Sequence, residues 1–234
     1  MMIFWNLLKT SIATCKQDPI ILFPYLLFYF ISHIIFTVFP LNTLETLTIK
    51  TEFIGLFIGV WSIEIFIKCI LYLWIRSGQF KSAYQQSTSA IIPILISLAI
   101  GLTPFLVILI VGFTVLSSAP SGLQIFVLML LIIVLVPAVL VNQFLPLSVL
   151  LNTHTLSEGI GVFFKLMKFH IKIGYRYTLF IFTAAVLSSV VLIFLSQIPL
   201  IGKSVGVIIF KSIYSTILTV FTYNVYVKLF TPNA

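Results

Sequence analysis

The chain has 234 residues, 61% of them hydrophobic and 8% charged, with thirteen Lys or Arg against five Asp or Glu and a formal net charge of +8. A soluble domain carries about 25% charged residues, so this composition excludes one and makes lipid the solvent for most of the chain. The positive excess reads as a topology signal and an attraction to anionic headgroups, with no nucleic-acid partner to invoke.

The first predicted element is a surface helix. FWNLLKTSIATCK sets Phe4, Leu7, Leu8 and Ile12 against Asn6, Lys9 and Lys16, the pattern of an amphipathic interfacial helix over about 2–16. An uncharged run from Ile20 to Phe39 follows, matching the roughly 20 apolar residues that a hydrocarbon core of about 30 Å requires. Lys9 and Lys16 before an apolar run superficially resemble a signal peptide, but the run is long and no A-x-A site follows, so 20–39 reads as a retained first span. His33 lies in it, one turn beyond Tyr29 and two beyond Tyr25, as a candidate intramembrane polar group. Such a histidine more often serves as a hydrogen-bonded bundle residue.

The second predicted span, 53–75, contains WSIEIFIKCILYLW, where Glu64 and Lys68 share a helix face with Trp61, Ile65 and Tyr72. Each charge at mid-helix costs about 2.5 to 3.5 kcal/mol, against about 0.3 to 0.6 returned by each Leu, Ile, Val or Phe, which leaves this span marginal alone. Its polar stripe is therefore expected to face protein or water, with Lys68 also able to snorkel toward the surface. SGQFKSAYQQSTSA, residues 77–90, is a weaker surface-helix candidate.

Uncharged spans are predicted at 91–116 and 123–151. The second carries Asn142 and Gln143 between Pro137 and Pro146, where side-chain amides can satisfy carbonyls that the prolines release. SEGIGVFFKLMKFHIKIGYR then predicts a second interfacial helix over about 157–174, capped by Ser157, with Ile160, Phe163, Phe164, Met167 and Ile171 on one face. Lys165, Lys168, Lys172 and Arg176 run along its flank as candidate ligands for lipid headgroups.

Spans at 178–199 and 204–227 complete the set. The last bears Lys211 and Tyr214 near one end and a hydroxyl stripe of Ser212, Ser215, Thr219, Thr222, Tyr223 and Tyr226. Counting inward at about 1.5 Å per residue brings Lys211 within reach of Glu64, so Glu64 has two candidate partners, Lys68 and Lys211.

Runs such as ILIVGF and LMLLIIVLV lack the alternation of barrel strands. The fold class is therefore all-α: a polytopic membrane bundle of six transmembrane helices with cytoplasmic amphipathic interfacial helices, forming a single integral membrane domain over 1–234. Three surface segments each precede a pair of spans, but their spacing is unequal and they share no residue pattern, so they read as loop anchors more than as a repeat. Lys9, Lys16, Arg76, Lys81, Lys165, Lys168, Lys172, Arg176 and Lys228 fall on one side of this topology and only Lys50 and Lys203 on the other. That asymmetry puts both termini in the cytoplasm and the chain in the cell inner membrane.

Signals for catalysis are weak. GKSVG, residues 202–206, satisfies G-x-S-x-G, but a nucleophile elbow needs a strand-turn-helix setting. The same GKS has Gln197 where a phosphate loop needs Gly. His33, His154 and His170 are far apart, with no Cys or carboxylate at ligand spacing, so neither a metal nor another cofactor is expected. Cys15 and Cys69 make no disulfide framework and read as small core residues.

FWNLLKTSIATCKQDPIILFPYLLFYFIS, VPAVLVNQFLPLSVLL leading into EGIGVFFKLMKFH, and QIPLIGKSVG together resemble a group of uncharacterised bacterial and archaeal integral membrane proteins. That group is similar to the membrane region attached to some glycerophosphodiester phosphodiesterases. The resemblance implies a six-helix bundle, and it carries no activity over, since no phosphodiesterase domain is present in this chain.

Three functions fit these residues. The first is a non-enzymatic lipid-handling or membrane-organising factor whose partners are membrane lipids, preferentially anionic. The second is a small-solute or ion transporter with Glu64 and Lys211 lining the path. The third is an accessory subunit that binds another membrane protein or a second copy of itself. A transporter usually brings more converging polar groups and discontinuous helices at the midplane, so the first reading is preferred.

Overall fold

The structure, a computed structural model, describes residues 2–38, 51–96, 99, 139–151 except 142, 155–198 and 202–230. Most of the third and fourth predicted spans lies outside the described residues, as do Asn142, Lys50 and His154. Every regular element among the described residues is helical. In chain order these are α1 (Met2–Gln17), a 3₁₀ turn (Pro19–Leu22), α2 (Phe23–Val38), α3 (Thr51–Ser77), α4 (80–96), α5 (Val139–Leu151), α6 (Leu156–Gln197) and α7 (Val207–Val225).

Among the described residues, two helices are long and apolar enough to cross a bilayer, Leu156–Gln197 and Ser204–Lys228. Met2–Gln17 and Pro19–Ile35, bent by 102° at their junction, make a third if they form one broken span. These long apolar helices make this a membrane protein. α3 covers the second predicted span and carries Glu64 and Lys68 inside it.

The breaks between elements have local causes. Pro19 lacks an N–H and pushes the residue before it out of the helical region, and Asp18 accordingly sits at φ −128°, ψ 82°. α3 ends at Gly78, whose φ of +70° is the left-handed conformation that glycine accepts without a Cβ clash, and its N–H bonds the Trp74 carbonyl at 2.8 Å. α6 joins the predicted surface helix and the predicted fifth span in one 42-residue helix, with a single non-helical residue, His170, at φ −117° and ψ 23°. The break thus falls inside the basic segment, four residues before the end expected at Gly174.

The chain divides into two compact units. In the first, Met1–Thr88 with Phe182–Val225, α7 is the central helix and packs against α1, α2 and α3. Cys15, Ile21, Tyr25, Phe28, Ile67, Leu71 and Val220 form its buried core. α1 turns Phe4, Leu7, Ser11 and Cys15 inward, one stripe at helical spacing, and leaves Ile3 and Trp5 exposed. The expected apolar face of Phe4, Leu7, Leu8 and Ile12 is therefore rotated toward Ser11, because α7 supplies partners there. The Phe4 ring packs on Phe221 at 6.3 Å, and the Asn224 amide donates to the Ser11 hydroxyl at 2.9 Å.

In the second unit, Ser89–Ile181 with Tyr226–Ala234, α5 runs alongside the first part of α6. The Ser148 hydroxyl donates to the Gly159 carbonyl at 2.9 Å, and the Phe144 ring meets Tyr177 at 4.6 Å and Tyr226 at 6.1 Å. Gly174 allows α5 close, since a Cβ there would stand 2.9 Å from Leu140 Cδ1.

Candidate functional site

The polar side chains that the sequence distributes over three spans converge in the first unit. α2 contributes Tyr25 and Tyr29, α3 contributes Glu64, Lys68 and Tyr72, and α7 contributes Lys211, Ser215, Thr219 and Tyr223. Tyrosines four apart on α2 meet hydroxyls four apart on α7, so two rungs form at the same helical pitch. Tyr25 and Thr219 hydroxyls lie 3.0 Å apart, and those of Tyr29 and Ser215 lie 2.7 Å apart. Tyr25 is fully buried and Thr219 nearly so.

The Lys68 ammonium and the Glu64 carboxylate are 3.1 Å apart. The two lie one turn apart on α3, and about a quarter of each side chain is exposed (25% and 29%). Of the two partners open to Glu64, this geometry pairs it with Lys68. Lys211 instead places its ammonium 5.9 Å from the centre of the Tyr29 ring, in cation–π range. Glu64 remains within electrostatic reach of the Tyr25 and Tyr29 phenols. Tyr72 and Tyr223 stack at 6.3 Å across α3 and α7. The result is one polar layer in which the Glu64 carboxylate, paired with Lys68, and the Lys211 ammonium over Tyr29 lie beside the two α2 tyrosines.

The hydroxyl stripe of α7 is mostly satisfied within its own helix. Ser212 donates to the Ile208 carbonyl, Thr216 to Ser212, Thr219 to Ser215 and Thr222 to Leu218, all at 2.7 to 2.8 Å. This back-bonding is how short hydroxyl side chains are accommodated in an apolar helix. Ser215 and Thr219 of that stripe bond across to α2.

The other predicted positions separate. His33 is exposed on α2, one turn beyond Tyr29, and its carbonyl accepts from Thr37. Tyr214 is half-buried, stacks on Phe210 at 6.2 Å and lies within hydrogen-bonding reach of Ser188. Gln143 is half-buried on α5, while Asn142 beside it is outside the described residues. Tyr25 and Tyr29 are the site members that reading by charge alone misses. The i, i+4 spacing of Tyr25 with Tyr29, matched by Ser215 with Thr219, is the signal that could have found them.

On α6, Lys165, Lys168, Lys172 and Arg176 are all exposed. Phe164, Phe169 and Tyr175 beside them are also exposed, and opposite them Gly159, Phe163, Met167 and Gly174 are buried. Part of the apolar face expected to meet acyl chains therefore meets protein, because α5 occupies that side through Ser148 and Leu140. The exposed remainder is a basic stripe edged by aromatic rings.

GKSVG, Gly202–Gly206, forms a π-helical turn that runs on into α7. Among the described residues no three His, Cys, Asp or Glu side chains come together as a metal site would need. Cys15 and Cys69 are both free and buried, as small core residues are. Comparison with protein-family models, with curated proteins and with solved structures finds no match to this chain.

Proposed function

We propose that this chain is a multi-pass protein of the cell inner membrane, with six spans and both termini in the cytoplasm, that handles or organises lipid without catalysing a reaction. The observation that carries the reading is the exposed stripe of Lys165, Lys168, Lys172 and Arg176 on α6, edged by exposed Phe164, Phe169 and Tyr175. Cations at phosphate level with aromatic rings dipping toward the acyl boundary are the chemistry of an anionic lipid surface. The kink at His170 lies within this stripe, between Lys168 and Lys172.

A transporter draws less support from the same geometry. Glu64 and Lys68 neutralise each other, and the α7 hydroxyls are engaged by carbonyls and tyrosines. Neither arrangement offers an ion or solute an uncommitted ligand set.

The test is retention of phosphatidylglycerol against phosphatidylcholine by the purified full-length protein. Replacing Lys165, Lys168 and Lys172 together by Gln should weaken the anionic preference by about 1 kcal/mol per lysine at low salt, on the order of 100-fold in all, and by less at high salt. An unchanged preference in the triple variant would remove the reading.

A further inference from the structure

Between α2 and α3 runs an open apolar groove of about 520 Å³. Its floor is buried and includes Phe28, Ser32, Ile67 and Ile70, while its walls, among them Phe23, Leu27, Ile31 and Ile63, are about half exposed. With its walls about half exposed it opens to the surface, so it is a slot and not an internal void. Ser32 supplies the one hydroxyl of the lining, and neither Glu64 nor Lys68 lines it although both belong to α3.

Dimensions decide what fits. The α3 lining runs from Val60 to Trp74, fifteen residues whose fourteen steps of 1.5 Å span about 21 Å. A 21 Å length of helix 10–12 Å across fills about 1,600 to 2,400 Å³, several times the 520 Å³ of the slot. The slot is too narrow for another helix and matches one extended hydrocarbon chain. A lining almost without donors or acceptors excludes a hydrated ion or polar solute, which would leave its hydrogen bonds unmade.

One end of the slot is charged. Ile20, Trp74 and Phe80 line that end. Lys16 stands four residues before Ile20 in the chain and Lys81 next to Phe80, both exposed. Asp18, half-buried, is the acidic group among the described residues of this end, so the balance there is positive.

We propose that the α2–α3 groove is a binding site for one acyl chain of an anionic phospholipid, whose headgroup is met by Lys16 and Lys81. The proposal deepens the lipid-handling reading and rests on it, but it uses different residues from the α6 stripe. The stripe grips the bilayer surface at large, whereas the groove selects one lipid and holds it through purification.

The experiment places a photo-crosslinking benzoyl-phenylalanine at Leu27, in the groove wall, and as a control at Val190, an exposed apolar position of α6. After irradiation in native membranes and detergent purification, intact-protein mass spectrometry should show a phospholipid adduct at Leu27 several-fold more abundant than at Val190, with phosphatidylglycerol enriched over the membrane average. Filling the slot with Ile31→Trp and Ile63→Trp, both at exposed wall positions that the fold tolerates, should abolish the retained lipid while leaving the melting temperature close to the parent. Lys16→Gln with Lys81→Gln should erase the headgroup preference and leave the adduct. A protein–protein crosslink from Leu27 would show that a helix or a second copy fills the slot, and equal adducts at Leu27 and Val190 would show ordinary bilayer contact; either result overturns the proposal. If the groove variants change nothing while the α6 triple variant loses its anionic preference, the groove fails and the broader reading stands.

Discussion

Glu64 and Lys68 form an ion pair 3.1 Å across on one face of α3, inside a helix whose other residues are almost all apolar. Because they are one turn apart, the pair forms within a single helix and needs no neighbour to position it. Lys211, the more distant candidate, is held over the Tyr29 ring instead.

This arrangement predicts which double mutant couples. Glu64→Gln with Lys68→Met should show a coupling of about 0.5 to 1 kcal/mol, because each single change strands the other charge near apolar surroundings. Glu64→Gln with Lys211→Met should be additive. In detergent melts the coupling corresponds to about 1 to 4 °C for a chain of this size. Coupling confined to the Lys211 cycle would reassign the partner of Glu64.

The tyrosine rungs between α2 and α7 predict an asymmetry. Tyr29→Phe removes both the phenol hydroxyl and its need for a partner, and should cost about 0.5 to 1.5 kcal/mol. Ser215→Ala leaves the Tyr29 hydroxyl without its hydrogen-bond partner and should cost more, about 1 to 3 kcal/mol, with Tyr29→Phe added on top recovering part of the loss. Equal, additive losses in the melting temperature would contradict the 2.7 Å contact.

Gly174 separates two opposing effects. Gly174→Ala gains up to about 1 kcal/mol of helix propensity, but its new methyl pushes on Leu140 Cδ1, a flexible end that can turn aside. Alanine should therefore fall within about 1 kcal/mol of the parent, while Gly174→Val should lose about 1 to 3 kcal/mol through overpacking. Adding Leu140→Ala should relieve the valine variant in particular, as measured by thermal unfolding.

Topology is open to direct labelling. Single cysteines placed beside Lys81 and Lys168, in a chain lacking Cys15 and Cys69, should resist a membrane-impermeant maleimide in intact cells, and one at Asn42 should react. The opposite pattern would reverse the proposed orientation.

Cys15 offers a simpler check on α1. Burial against α7 pushes its thiol up to about 11, so almost no thiolate is present at pH 8. Alkylation of the purified protein at pH 8 should be slow until the protein is unfolded. Rapid modification of the folded protein would mean that α1 is not docked as described.

The helical class was legible because a composition so poor in charge leaves lipid as the solvent, and uncharged runs of 20 or more residues have few other solutions. The starts and stops were legible where proline or glycine forces them, as at Pro19 and Gly78. Which side of an amphipathic helix is covered was not legible. Ser11 turns inward because Asn224, 213 residues away in sequence, bonds to it, and Phe163 is buried because α5 takes that side. Hydrophobic periodicity names a face but not its neighbour. For the same reason the charges of α3 stood out in the sequence, while the neutral tyrosines that complete their layer did not.

The long apolar stretch of α6 has a consequence for how chains of this kind diverge. No residue from Leu179 to Gln197 is buried, whereas α7 buries Ser212, Thr216, Thr219, Val220, Phe221, Thr222 and Val225. Exchange among Leu, Ile, Val and Phe along 179–197 alters little beyond oiliness, so that stretch is free to drift. A change at Thr219 or Ser215 must be answered at Tyr25 or Tyr29. Ancestry should therefore be preserved in the paired spacing of two tyrosines on one helix and two hydroxyls on another, and be erased first from the most hydrophobic segment.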